Sequence, residues 1–268
     1  MKNNIVLIIS FFAFNLIVSQ DLKLPTIFSD NMILQQDSVV SIWGWSKSNS
    51  QVSINVSWNK KTFKIKSNSE GKWLLKVNTP KSGKSHQITV QSNNKRVIIA
   101  NVLMGEVWIA SGQSNMQMNL NGYRNEPVFG ANDAIANSYN SEIRFFTVER
   151  NVSNIPLENL EGKWSISNQE NSPFFSAVAY SFAKYLNTVL DYPVAIIHTS
   201  WGGTPAEAWS DSKSLQIDFK KSEIKNHGGT PQHEPSSLYN AMIYPLTNYS
   251  IKGAIWYQGE SNVSRSSN

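Results

Sequence analysis

The stretch Gly105-Glu106-Val107-Trp108-Ile109-Ala110-Ser111-Gly112-Gln113-Ser114-Asn115-Met116 joins an apolar run to a glycine turn and a serine. The apolar residues up to Ser111 predict a buried strand, and Gly112 predicts a tight turn that lifts Ser114 from the strand end. A serine hydroxyl is a weak nucleophile by itself, so it needs exposure, a base and donors for a developing oxyanion. The same pattern suits a serine that caps the next helix, and this stretch alone leaves both interpretations open.

Two later apolar runs also end in glycine-containing polar segments. The run Val194–Thr199 leads into a glycine pair at Gly202 and Gly203, where a backbone N–H can point at a substrate oxygen without a Cβ in the way. The run Gly253–Tyr257 leads into an amide, a glycine and a carboxylate in the segment 258–260. An ordinary turn or polar loop explains either segment alone. Three such strand ends together favour a catalytic site, because parallel strands place their carboxyl-end loops at one edge of a sheet.

The preceding part of the chain, from about Leu24 to Val102, alternates short β-rich runs with polar turns. The runs are Val39–Trp45, Gln51–Trp58, Thr62–Lys66, Lys72–Val77, His86–Gln91 and Arg96–Val102. Their spacing predicts a small β-sandwich over residues 21–101. From residue 102 to 268 strands alternate with helical patterns, such as the apolar spacing in Ser176–Leu190, which predicts an α/β domain.

The first twenty residues have the pattern of an export signal. A short basic start at Lys2 precedes the apolar run Ile5–Val18, which ends at Ser19 and is too short for a convincing membrane span. An uncleaved anchor is the alternative. The chain contains no cysteine, which excludes disulfides and thiolate metal sites and, with the signal, points to a secreted or periplasmic protein without a membrane segment after signal cleavage.

Charge is uneven along the chain. Between Lys47 and Arg96 there are eleven lysines or arginines, and Glu70 is the one acidic residue there. A solvated face of the sandwich explains this distribution, and attraction of acidic glycans is the alternative. Nucleic acid is not an expected partner, because the chain carries an export signal and no nucleic-acid-binding motif.

Four motifs resemble conserved blocks of the sialate O-acetylesterase-like family within the SGNH hydrolases. They are GQSNM at 112–116, SWGGTP at 200–205, LYNAMIYPL at 238–246 and IWYQGESN at 255–262. The stretches 28–36 and 43–45 resemble the sandwich domain of that family. The resemblance implies a flavodoxin-like α/β/α SGNH hydrolase domain preceded by a small β-sandwich domain. It also implies removal of acetyl groups from acetylated carbohydrate substrates, without a metal or another cofactor.

The resemblance assigns roles to individual residues. Ser114 is the nucleophile, and its own N–H contributes to the oxyanion hole. A second N–H comes from Gly203 or its neighbour Gly202, and the side-chain amide of Gln258 is the third donor. Glu260 is either the acid that orients the catalytic histidine or a support for the residues that do. Three more residues of the motifs are expected to contact substrate: Gln113, Asn115 and Trp201.

The family's catalytic histidine lies in an Asp-x-x-His motif, and no such motif occurs between Glu260 and Asn268. We therefore expect this histidine beyond Asn268 and little activity from these 268 residues alone. The histidines present are predicted to be structural or surface residues: His86, His198, His227 and His233. His227 and His233 flank a glycine pair and are weaker candidates for substrate contact, and two histidines with few nearby carboxylates make a weak metal site.

The motifs favour a carbohydrate O-acetylesterase that works through an acetyl-Ser114 intermediate. An esterase of acetylated plant polysaccharide such as xylan would share the same catalytic motifs. A non-catalytic glycan-binding protein with a truncated hydrolase domain is the alternative from a different class.

Overall fold

A computed structural model describes residues 22–219, Ile224 and residues 229–265. The predicted signal peptide and His227 lie outside the described residues. The strands are β1 (Ile33–Gln35), β2 (Val39–Trp45), β3 (Gln51–Val56), β4 (Thr62–Lys66), β5 (Lys72–Asn78), β6 (His86–Ser92), β7 (Lys95–Gly112), β8 (Asn140–Val148), β9 (Gly162–Ser167), β10 (Val194–Ser200) and β11 (Gly253–Tyr257). The α-helices are α1 (Ser114–Gln117), α2 (Ala131–Ala136), α3 (Ala177–Leu190) and α4 (Ser212–Asp218), and short 3-10 or π turns lie between several elements.

The strand β7 organises the fold. Its first half pairs antiparallel with β6, and its second half pairs in parallel with β10 on one side and with β1 and then β11 on the other. Strand β8 pairs in parallel with β10, and β9 closes that edge antiparallel to β8. The second half of β7 is almost continuously buried, as expected for a strand covered on both faces of a parallel sheet.

A local irregularity divides β7 at the predicted domain boundary. Asn101 has a φ of 53°, and the register between β6 and β7 shifts nearby. The buried guanidinium of Arg144, on β8, donates from Nη2 to Asn101 Oδ1 at 3.1 Å and from Nη1 to the Asn101 carbonyl. Burial lowers the pKa of Arg144 to about 10. The chain therefore bends at residue 101 within one strand, and the boundary at 101/102 stays a prediction.

The β-rich part contains strands at the predicted places, with β2 and β4 matching to the residue. Strands β3, β4 and β6 join the first half of β7 in one sheet, while β2 and β5 form a separate two-stranded ladder. Apolar residues of both sheets, such as Ile42 and Ile54, lie in the same core cluster as Ile197 of β10. Because this core continues into the parallel sheet, a sandwich that packs as its own domain remains a prediction.

Helical segments cover both faces of the parallel sheet. On one face, α1 and α3 bury Met116 and Ala179 against Ile196 of β10. Helix α3 confirms the predicted helix, and its cap is Ser176, whose Oγ accepts a hydrogen bond from the Ala179 N–H at 3.2 Å. On the other face, the turns at 206–209 and 239–246 join the larger core. Across the residues that the structure describes, no helix is long and apolar enough to cross a membrane.

Candidate active site

The carboxyl ends of β7, β10 and β11 meet at one edge of the sheet. Gly112 is the register partner of both Ser200 on β10 and Tyr257 on β11. The three polar segments singled out in the sequence therefore leave the sheet side by side. Their convergence is the geometry that a site at the carboxyl ends of parallel strands requires.

The turn after β7 requires glycine. Gly112 has a φ of 139°, and a Cβ at this position would lie 2.0 Å from the carbonyl oxygen of Tyr257. Its own carbonyl accepts from the Trp201 N–H at 3.1 Å, and the next N–H, of Gln113, donates to the Tyr257 carbonyl at 2.9 Å. These bonds tie the three strand ends together and set the position at which the chain turns toward Ser114.

Ser114 is the first residue of α1 and is exposed. The cap position belongs to Gln113, and no side chain caps this helix, so Ser114 does not have the capping role that its sequence context also allowed. The N–H of a first helical residue has no acceptor within the helix. Within the described part of the chain, the Ser114 hydroxyl makes no hydrogen bond. Among the described residues, the Ser114 hydroxyl and N–H thus have no partner and lie at the strand edge.

The glycine pair after β10 lies directly against Ser114. A Cβ built on Gly202 would be 3.5 Å from both Cα and Cβ of Ser114. The Gly202 N–H already donates to Gln117 Oε1 at 2.7 Å. Gly203 has a φ of 76°, open space on its Cβ side, and an N–H with no partner among the described residues. Of the two glycines, Gly203 is therefore the one whose N–H is available to a ligand.

The segment after β11 is held by Gln113, whose side chain is only 2% exposed. Its Oε1 accepts from the N–H groups of Gly259 at 3.4 Å and Ser261 at 3.2 Å. This burial leaves little of Gln113 open to a ligand, and its contact with substrate stays a prediction. Asn115 is exposed as that prediction requires, and its Nδ2 donates to Oε1 of Glu260, which is also exposed.

The amide of Gln258 is engaged in a different way from that predicted. Its Nε2 donates to Asn262 Oδ1 at 2.6 Å and to the Thr204 carbonyl at 3.4 Å. A carboxamide has two N–H donors, so neither is free for an oxyanion in this arrangement. Asn262 also accepts from the Ala206 N–H at 2.9 Å and donates to Glu207 Oε2 at 3.0 Å. No role was predicted for Asn262 from the sequence, although it is the last residue of the motif at 255–262.

No hydrogen bond joins Ser114 to a histidine among the described residues. His198 lies buried on β10, with its Nε2 2.7 Å from Ser200 Oγ, and burial together with the positive charge of Arg150 lowers its pKa to about 4. His86 pairs through Nδ1 with Ser57 Oγ at 3.2 Å in the β-rich part. His233 lies in a 3-10 turn formed by Pro231–His233. In the described ranges, no three His, Cys, Asp or Glu side chains cluster as a metal site would need.

Arg150 is a cation that sequence reasoning missed. It follows the carboxyl end of β8, and its Cζ lies 5.5 Å from the ring centroid of Trp201, within the range of a cation–π contact. The side chain is exposed, and no described carboxylate pairs with it. Trp201 is partly buried against the core, immediately before the glycine pair. The sequence feature that could have indicated Arg150 as a site residue is its position just after the end of an apolar strand.

Comparison with known proteins identifies relatives of this chain. A family model described as carbohydrate esterase, sialic acid-specific acetylesterase, matches residues 104–268. The chain is 32% identical to sialate O-acetylesterases of Pongo abelii and Homo sapiens over 263 residues, which cover 90% of this chain and 49% of each relative. A crystal structure of a carbohydrate acetylesterase from Xanthomonas citri superposes with a TM-score of 0.80 at 31% identity, over 90% of this chain and 52% of that one. The chain spans about half the length of these relatives.

Proposed function

Because the chain belongs to the carbohydrate esterase family of sialic acid-specific acetylesterases, we propose that it acts as a carbohydrate O-acetylesterase with Ser114 as the nucleophile. One observation carries this proposal: the exposed Ser114 lies against the glycine pair, beside a Gly203 N–H that lacks a partner among the described residues. A hydroxyl next to two N–H donors that have no partner among the described residues is the arrangement that acyl transfer needs.

The reaction proceeds by two acyl transfers. Ser114 Oγ attacks the acetyl carbonyl carbon, its proton passes to a base, and the carbonyl oxygen becomes an oxyanion held by the N–H groups of Ser114 and Gly203. The bond to the sugar oxygen then breaks, and that oxygen leaves with a proton. Water attacks the acetyl-Ser114 ester in the same way and releases acetate.

The base is proposed to be the histidine of the family's Asp-x-x-His motif, which we expect beyond Asn268. His198 supports this assignment, because it is buried and its Nε2 lies 2.7 Å from Ser200 Oγ instead of at Ser114. Glu260 contacts Asn115 at the start of α1, so it is placed to orient either that histidine or α1. Gln258 is proposed to position the loop that carries Gly203, through its bond to the Thr204 carbonyl.

The proposed substrate is an acetylated sugar that carries a carboxylate, as sialic acids do. The exposed Arg150 supports this choice over acetylated xylan, because a guanidinium that pairs with no described carboxylate favours an anionic ligand. Its stacking on Trp201 keeps the guanidinium near the glycine pair. Asn115 and Trp201 are proposed to contact the sugar.

We also propose the finer architecture and location. Residues 21–101 form a β-sandwich domain and residues 102–268 a flavodoxin-like α/β/α hydrolase domain, which is supported by helical segments on both faces of the parallel sheet. Residues 1–20 act as a signal peptide, and the protein is secreted or periplasmic.

The test is acetate release by the full-length enzyme and its Ser114→Ala variant. We expect the variant to lose at least about 10³-fold in kcat, because removing a nucleophile removes the covalent route. Its circular dichroism and thermal unfolding should match the parent, since the exposed hydroxyl makes no hydrogen bond within the described residues. A serine-directed organophosphonate should label the parent at Ser114 alone. Labelling or turnover that survives the substitution would show that another residue is the nucleophile.

A further inference from the structure

A cleft of about 420 Å³ lies between the β2–β5 ladder and the segment 244–248. Three tryptophans line it, each less than one-tenth exposed: Trp43, Trp45 and Trp73. Polar side chains line it as well: Asn68, Lys72, Glu158, Thr247 and Asn248. Its volume falls in the range of small-molecule sites, and aromatic walls with a few convergent polar groups are their usual composition.

The cleft is separate from the candidate active site. The segment 244–248 precedes the amino end of β11 at Gly253, whereas Gln258 follows the carboxyl end of that strand. Neither Ser114 nor Gly203 lines the cleft. A ligand held here would not occupy the position of the acetyl group at Ser114.

One wall of the cleft contains a buried donor without a partner. Trp73 Nε1 is buried and makes no hydrogen bond within the described part of the chain, whereas Trp45 Nε1 donates to Glu158 Oε2 at 3.2 Å. An unpaired buried donor costs about 1–3 kcal/mol, so its presence calls for an explanation. The six-membered ring of Trp73 lies against Gly44, another lining residue, since a Cβ built there would be 3.0 Å from Trp73 Cζ2. Because Nε1 exposes less than 1 Å² of surface, a ligand in the cleft would contact the ring of Trp73 and not its N–H.

The charges at the cleft disfavour an anionic ligand. Lys72 is paired with Glu158, which lines the cleft, and with Glu70 at 3.0 Å. Lys72 and Glu158 are the two charged side chains among the described residues that line the cleft, and because they pair with each other neither charge is left for an anionic ligand. A ligand carboxylate would have to displace one of these pairs, whereas a hydroxyl can hydrogen-bond to Glu158 without disturbing the balance.

We propose that this cleft is a second carbohydrate site, which binds an uncharged saccharide unit. A pyranose ring has apolar C–H faces that pack on aromatic rings, and Tyr244, which lines the cleft, is 40% exposed. Ring hydroxyls donate to Glu158 and exchange hydrogen bonds with the amide of Asn248. Such a site holds a glycan by a unit remote from the acetylated one.

The proposal is tested by titrating the full-length protein with unacetylated glycans in a calorimeter. The neutral probes are xylohexaose, cellohexaose and N-acetyllactosamine, and N-acetylneuraminic acid is the charged comparison. We expect at least one neutral probe to bind, and both Tyr244→Ala and Asn248→Ala to weaken that binding at least fivefold. Tyr185→Ala, which removes a tyrosine that is 73% exposed on α3, is the matched control and should bind as the parent does.

Two results would overturn the site: no binding of any neutral probe, or equal binding by the parent and by both cleft variants. Tyr244 and Asn248 are both exposed, so we expect both variants to fold as the parent does. Tighter binding of N-acetylneuraminic acid than of every neutral probe would also contradict the proposal. Ser114→Ala should retain the binding, so failure of the esterase proposal and failure of the cleft proposal are read in separate experiments.

Discussion

At the scale of single residues, the amide of Gln258 could serve catalysis in two ways: it could donate to the oxyanion directly, or it could position the loop that carries Gly203. Its Nε2 bonds to Asn262 and Thr204 predict that Gln258→Ala loosens the loop carrying Gly203. We expect kcat to fall by up to about 10²-fold with KM nearly unchanged, because removal of a complete oxyanion donor costs about 10²–10³-fold. Asn262→Ala is the companion variant. An equal loss in Asn262→Ala supports the positioning role, whereas a much larger loss in Gln258→Ala alone would make Gln258 a direct donor.

A second prediction at the residue scale concerns Arg150 and the specificity for a substrate that carries a carboxylate. With an O-acetylated sialic acid, Arg150→Gln should raise KM by about 10-fold or more, because a hydrogen bond to a charged group contributes about 1.5–3 kcal/mol. The methyl ester of the same sugar, which lacks the charge, should be hydrolysed equally well by the parent and the variant. Arg96→Gln is the matched control, since Arg96 is exposed on the lysine-rich face. If Arg96→Gln had the larger effect, the basic face would be the source of selectivity.

At the scale of elements, strand β10 has a buried histidine that makes stability depend on pH. Burial lowers the pKa of His198 from its ordinary value of 6.5 to about 4, so between these values the unfolded chain binds a proton that the folded chain does not. Stability should therefore fall as the pH drops from 6.5 to 4, by up to about 3 kcal/mol from this group. Urea unfolding of the parent and of His198→Gln at pH 7, 5.5 and 4.5 checks this. The parent should lose more stability on acidification than the variant, and parallel losses would contradict the assignment.

At the scale of the whole molecule, the proposed mechanism needs a base that the described residues do not place beside Ser114. The 268 residues alone should release acetate at least about 10²–10⁴-fold more slowly than the full-length enzyme, which is the usual contribution of general-base assistance. A chain extended through the Asp-x-x-His segment, and the same chain with that histidine changed to alanine, form the comparison. Robust turnover by the 268 residues, lost on His233→Ala, would place the base within the described chain.

The sequence by itself predicted the features that depend on neighbouring residues. Short strands such as β2 and β4 follow from alternating side chains and turn residues, and the turn at Gly112 follows from the steric freedom of glycine. The motifs around Ser114 also indicated the family, because its catalytic groups lie in short segments. These signals need no knowledge of where distant parts of the chain pack.

Only the tertiary structure decided which of the candidate groups are free to act. Gln117 Oε1 accepts a hydrogen bond from the N–H of Gly202, which lies 85 residues further along the chain. The N–H of Gly203 has no partner among the described residues. Gln113 is buried by a loop that lies more than 140 residues away in sequence. Arg150 reaches Trp201 only because β8 and β10 are neighbours. Hydrogen-bond partners are set by proximity in space, and a linear pattern of residue types carries no direct record of that proximity.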